Sequence, residues 1–180
     1  MGYYVSYRYE GYIGALICDE DIINKYFEDG KYFDEEINEI LEARFNKAFE
    51  AFKKTSDDYS SMRVFNDDDN KIKEDMKQML DLWRIVKSVD HKGETVYYLE
   101  PFDEEFYFKW HAEDGFMPYF LLYLVDPSKP TNFIMVFNGE DDTRWGWHIE
   151  TGNGSARLSE ITWAMRDILI FERRNEEDAL

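Results

Sequence analysis

The chain has 180 residues, 44% hydrophobic and 18% aromatic, and its 39 Asp and Glu against 21 Lys and Arg give a net charge of −18 and a pI near 4.5. Thirteen Tyr, fourteen Phe and five Trp argue against a disordered polymer, because disordered chains are poor in large apolar side chains. The negative field disfavours direct binding of DNA, RNA or an anionic membrane, and it steers cationic partners inward.

The acid is spread along the chain, with 21 acidic and 13 basic residues in 1–90 and 18 and 8 in 91–180. The length fits a single acidic domain over 1–175 with a frayed acidic tail at 176–180. A chain of this size buries about two-thirds of its unfolded surface and needs no disulfide or metal staple. Cys18 is the only cysteine, so no intrachain disulfide forms and a reducing, cytoplasmic compartment is expected. The first residues lack a basic stretch leading into an apolar one, and the run from Phe116 to Val125 is too short to span a bilayer. Gly2 and Ser6 fit a myristoylation pattern, but no basic cluster accompanies them.

In chain order, residues 3–17 are rich in Tyr, Val and Ile and read as an opening strand or hairpin, broken at Gly11 and Gly14. Asp19, Glu20 and Asp21 offer N-cap chemistry to a short helix over 20–28 closed by Gly30. Residues 33–54 carry one apolar stripe, with Phe33, Ile37, Leu41, Phe45, Phe49 and Phe52 at helical spacing. Acid at its start and Lys53-Lys54 at its end suit the helix dipole. Asp57 to Asn70 reads as a loop, and a second helix is expected over 71–88, with Ile72, Met76, Met79, Leu80, Trp83 and Val86 or Val89 on one side. Lys92-Gly93 reads as a turn between short strands.

From Thr95 the period becomes that of strands: Val96 to Leu99, Phe106 to Trp110, Pro118 to Val125, Asn132 to Phe137, Thr143 to Ile149 and Ala156 to Ile161. Glu113-Asp114-Gly115 and Gly152-Asn153-Gly154 are hairpin-turn signals. Residues 162–173 read as a terminal helix or a last strand, with helix preferred. The fold expected is α+β: two or three helices in the N-terminal half pack on a mainly antiparallel sheet formed by the C-terminal half plus the N-terminal strand.

Tests for chemistry fail. His91, His111 and His148 form no metal-ligand spacing, and one cysteine builds no zinc cluster. His111 beside Glu113 and Asp114 reads as a solvated turn before a weak cation site. The run Asp67-Asp68-Asp69-Asn70 misses the calcium-loop pattern, since the positions that need Gly and Glu hold Ile72 and Gln78. Nucleophile elbows, Walker loops and dinucleotide fingerprints are absent. Cys18 ends an apolar run and reads as a buried thiol rather than a nucleophile. No cofactor, metal or catalytic residue is assigned, and the chain is read as a binding protein rather than an enzyme.

Phe137 to Ile149 (FNGEDDTRWGWHI), with Trp163 and the opening Gly2-Tyr3-Tyr4-Val5, resembles small phage-encoded proteins that begin with a Met-Gly-Tyr strand and end in an acidic turn followed by Trp-x-Trp. The chain departs from that pattern at Asp142, where the turn has Gly. The resemblance implies a mobile-element origin and brings no functional residues with it. By charge and size alone the chain is also similar to acidic anti-defence proteins of the anti-CRISPR kind and to nuclease immunity proteins.

The function expected is that of an acidic inhibitor that masks a basic, nucleic-acid-binding protein, such as a nuclease or defence effector, by placing carboxylates where phosphates would lie. Three candidate contact surfaces follow. They are a helix row of Glu35, Glu39, Glu42 and Glu50, the loop Asp67, Asp68 and Asp69, and the turn Glu140, Asp141 and Asp142. Acid supplies on-rate more than affinity, so a real interface also needs aromatic anchors. The alternatives are a phage structural or accessory protein or a homo-oligomer, and, third, a carboxylate- or metal-dependent enzyme.

Overall fold

A computed structural model describes residues 4–9, 38–80, 83–89, 91–93, 95–101, 107–109, 112–125, 127, 130–139, 144–152, 154–162 and 167–174. Among these, six strands form one antiparallel sheet and two more form a separate hairpin. In the large sheet β1 (Tyr4–Tyr9) lies between two strands from the C-terminal half. It pairs with β4 (Tyr107–Lys109) on one side and β5 (Thr131–Gly139) on the other. The meander then runs through β6 (Arg144–Gly152), β7 (Ser155–Ile161) and β8 (Asp167–Arg174). The expected α+β class, with β1 joining a C-terminal antiparallel sheet, is the one the chain adopts.

One face of this sheet is the floor of the core. Phe133, Met135 and Phe137 on β5 stand directly opposite Ile149, Trp147 and Trp145 on β6, and Ile149 in turn faces Leu158 on β7. α1 (Asn38–Thr55), which reaches β8, and α3 (Asp69–Leu80) bury their apolar faces in the same core. α1 buries Leu41, Phe45, Ala48, Phe49 and Phe52 as its stripe requires, and α3 buries Ile72, Met76, Met79 and Leu80. Between the two lies the short α2 (Asp57–Phe65), which buries only Met62.

The centre of the core is α4 (Met117–Leu124), all eight of whose residues are buried. It follows directly on a 3-10 turn at Ala112–Phe116, and Phe116 meets the Phe45 and Phe52 rings edge-on at 5.1 and 5.6 Å. A helix buried on all sides leaves its last carbonyls without water. Two buried arginines answer them: Arg44 of α1 donates to Tyr123 O at 2.8 Å, and Arg173 of β8 donates to Leu122 O at 3.0 Å and Val125 O at 3.1 Å. Their positive charge also suits the negative end of the helix dipole.

Five elements differ from the sequence expectation, each for a physical reason. Residues 57–65 form α2 instead of a loop. Ser56 caps it, accepting from Asp58 N at 3.2 Å, and Asp57 and Asp58 occupy its first turn. The helix expected over 71–88 stops at Leu80, and β2 (Trp83–Val89) pairs along its whole length with β3 (Thr95–Pro101). Trp83, Ile85, Val86 and Val89 are β-favouring residues, and hairpin pairing with the next strand overrides the continued helical spacing. Gly93, at φ +83°, makes the intervening turn that Lys92-Gly93 announced. Pro118 to Val125 was expected as a strand, but an unbroken apolar run has no period to separate buried helix from buried strand. Glu113-Asp114-Gly115 lies in the 3-10 turn and not in a hairpin. The last element is a strand, β8, because Ile168, Ile170 and Phe171 continue the meander beside β7. The expected helix over 20–28, the environment of Cys18 and the tail at 176–180 lie outside the described residues.

Candidate functional site

The fold treats the acidic residues singled out in the sequence in different ways. On α1, Glu42 turns toward α3 and pairs with Lys77, while Glu50 is exposed and sits 3.9 Å from Lys53 one turn along. Glu39 lies on the same helix, and Glu35, like Glu140, Asp141 and Asp142, lies outside the described residues. The expected row of four therefore contributes Glu50 as its exposed, described member.

Asp69 is held in a cluster. Lys53 Nζ donates to its Oδ2 at 3.0 Å, the Tyr59 hydroxyl donates to Oδ1 at 2.8 Å, and Arg63 Nη1 stands 3.6 Å away. Burial pushes the Asp69 carboxyl up, but hydrogen bonds from Lys53 and Tyr59 and the charges of Lys53 and Arg63 outweigh it and hold the group below the usual range. The bond to Asp69 raises Lys53 in turn, and burial followed by Asp69 raises the Tyr59 phenol. Asp67 and Asp68, the two residues before it, are exposed; Asp68 Oδ1 accepts from Asn70 N at 2.9 Å at the start of α3. Beside them the end of α2 presents Val64 and Phe65 at 78% and 92% exposure.

At the other end of α2 the helix opens onto a cavity of about 330 Å³. Its carboxylates are Asp57 and Asp58, from the first turn of α2, and Glu160, from β7; its aromatic walls are Tyr119 of α4 and Trp145 and Trp147 of β6. The chain enters α2 through a tight corner in which Ser56 N donates to Phe52 O at 2.9 Å. Thr55 Oγ1 donates to Ala51 O at 2.8 Å and lies 2.9 Å from the Tyr119 hydroxyl. That corner presents Asp57 and Asp58 to the opening. The Asp58 carboxylate rests against Gly115, where a Cβ would come within 2.1 Å of its Oδ2, so a larger residue there would displace that carboxylate.

The two indoles share a face because they are two residues apart on one strand. Both pack on Phe137, Trp145 stacked at 5.8 Å and Trp147 edge-on at 4.8 Å. Gly146 between them points the other way, where a Cβ would meet Met135 O at 2.1 Å; β5 and β6 leave no room for a side chain. Glu160 is the partner of Trp147 in the β6–β7 register, so its side chain stands on the core-facing side of the sheet, next to an indole. Burial raises the Tyr119 phenol, and the charges of Asp58 and Glu160 push the same way against hydrogen bonds shared with Thr55 and Ser56. No lysine or arginine is among the described residues lining the cavity.

None of the acidic residues singled out in the sequence lines this cavity. Ser56-Asp57-Asp58 was legible as a helix cap, although the surrounding polar residues favoured a loop. Glu160 carried no separate signal, since Leu158 and Ile161 place apolar residues on both faces of its strand. Among the described residues no three His, Cys, Asp or Glu side chains gather as a metal site, and no helix is long and apolar enough to cross a membrane. Comparison with known proteins finds no matching family, no matching curated protein and no matching solved structure.

Proposed function

We propose that the protein is an acidic binding protein that masks a basic, nucleic-acid-binding partner, of the nuclease or defence-effector kind, with carboxylates standing in for phosphates. The observation that carries this reading is the corner between α2 and α3, where Phe65 at 92% exposure and Val64 at 78% stand beside the exposed Asp67 and Asp68. A surface built only for solubility has no use for adjacent bare apolar side chains at that point. An interface does: the carboxylates attract a basic surface and raise the on-rate, and the phenyl ring supplies the desolvated anchor. Small acidic inhibitors of the anti-defence kind, which the chain resembles in charge and size alone, are the class that this function would suit.

The test is retention of partners from a host lysate by the wild type, by Phe65→Ala and by Asp67→Lys/Asp68→Lys. The wild type is expected to retain a basic protein at low salt and to release it to added duplex DNA, with both variants retaining far less. Retention that DNA does not displace, or that survives both variants, contradicts the reading.

A second reading, a homo-oligomer, is favoured by β8. Among the described residues it pairs only with β7, and Ile168 and Leu169 on it are 55% and 46% exposed. An apolar edge strand is a template for pairing with another chain. Sedimentation of the wild type against Ile168→Lys separates the two readings, since only the oligomer dissociates.

A further inference from the structure

We propose that the crevice between α1 and β8 is a receptor for a small organic monoanion with an apolar body, a carboxylate carried on an aryl or short alkyl group. The face that α1 turns to β8 is the first reason. Arg44, Lys47, Ala51 and Lys54 follow one another at three- and four-residue spacing and so share one side of the helix. Phe171 of β8 projects from the core-facing side, as the register partner of Leu158, and Arg173 two residues on projects the same way. Tyr123 of α4 adjoins both elements. Its carbonyl accepts from Arg44, its ring lies 6.4 Å from that of Phe171, and the Arg173 guanidinium stands 5.2 Å over it. A crevice of about 310 Å³ opens there, with Ala51, Tyr123 and Phe171 as its apolar lining and Lys47, Lys54 and Glu50 as its charged lining.

The second reason is charge. In a protein of net charge −18, Lys47 and Lys54 line this crevice and Arg44 and Arg173 adjoin it, against a single lining carboxylate. That carboxylate, Glu50, also has Lys53 at 3.9 Å. Arg44 is 5% exposed, and its Nε has no hydrogen-bond partner among the described residues, although its Nη1 donates to Tyr123 O. A buried guanidinium with a donor to spare keeps a positive potential at its end of the crevice.

The same features select the ligand. Repulsion by the whole chain grows in proportion to the charge that approaches, so nucleic acids and polyphosphates are held off and a monoanion is opposed least. Glu50 opposes a second anionic group locally. A bare inorganic anion makes no use of Ala51, Tyr123 and Phe171. A carboxylate on a phenyl ring or short alkyl chain uses both halves of the lining: its body leaves water for the apolar walls, and its oxygens accept charge-assisted hydrogen bonds from lysine. A volume of about 310 Å³ lies at the small end of ligand sites and suits one ring with a short stem.

The carboxylate has two sources, a free small molecule or the C-terminus of a peptide, and the test separates them. The full chain is titrated at constant ionic strength with phenylacetate, acetyl-Gly-Gly-Phe, benzyl alcohol and inorganic phosphate while the NMR signal of the Ala51 methyl is followed. Saturable shifts and ring-to-methyl NOEs are expected with the two carboxylates, weaker ones with benzyl alcohol and no saturable shift with phosphate. Tighter binding of phenylacetate assigns a free ligand, and tighter binding of acetyl-Gly-Gly-Phe assigns a peptide terminus. Lys47→Gln and the exposed Lys54→Gln are each expected to weaken phenylacetate binding about tenfold, the effect of losing one charged hydrogen-bond partner. Glu50→Gln is expected to tighten it. The crevice does not depend on the Phe65 surface, so Phe65→Ala leaves phenylacetate affinity unchanged. Absence of saturable shifts at Ala51 with either carboxylate overturns the proposal, as does an equal response to benzyl alcohol or phosphate, or undiminished binding by both lysine variants.

Discussion

Asp69 and Glu160 are both acidic residues at the edge of the helical layer, and the fold treats them oppositely. Asp69 is surrounded by Lys53, Tyr59 and Arg63 and is held ionised by them. Glu160 faces an aromatic cavity in the company of two further carboxylates. The first arrangement ties α1, α2 and α3 together and contributes to stability. The second sets Glu160 of β7 beside Asp57 and Asp58, which occupy the first turn of α2 and suit its dipole.

Substitutions test that contrast, beginning with the largest effect. Trp147 is shared by the core and the cavity wall, so Trp147→Ala should lower unfolding free energy by about 3–5 kcal/mol in urea titrations. Asp69→Ala should cost about 1 kcal/mol, a modest figure because the carboxylate is about one-third exposed. Asp57→Asn should cost less, with stability within about 0.5 kcal/mol of wild type.

The smallest effect is pH dependence. The Asp69 carboxyl is lowered in the folded state, so its contribution is fully present above its unfolded pKa and is lost as pH falls through the folded value. Asp69→Asn should therefore lose less stability on acidification than the wild type, which urea midpoints at neutral and acid pH will show. The raised Lys53 acts at the other limit, with its contribution present at neutral pH and lost as pH rises through its folded value.

The contrast also shows what was legible in the chain. The stripe from Leu41 to Phe52 fixes its helix because one face is apolar and the other charged. Two same-face tryptophans separated by Gly146 were readable as a hairpin for a similar reason, the two-residue period of a strand. α4 was not readable, because a segment buried on every side carries no period; its helix depends on Arg44 and Arg173, which come from residues 79 and 51 positions away from their acceptors. The surroundings of the acidic residues were not readable on the same ground. In a chain of net charge −18, local sequence does not reveal which carboxylates meet a lysine across a helix interface, as Glu42 does, and which converge on a cavity, as Glu160 does.

The central claim is that the fold holds Asp69 through its neighbours and does not hold Glu160 in that way. Urea unfolding of Glu160→Leu tests it most directly, because leucine at that position would extend the apolar surface formed by Trp147 and Leu158 on the core-facing side of the sheet. The account predicts a variant at least as stable as the wild type, since it removes one of three clustered charges and adds apolar contact. A loss of more than about 1 kcal/mol would contradict the account, because it would mean that Glu160 is held by the fold as Asp69 is.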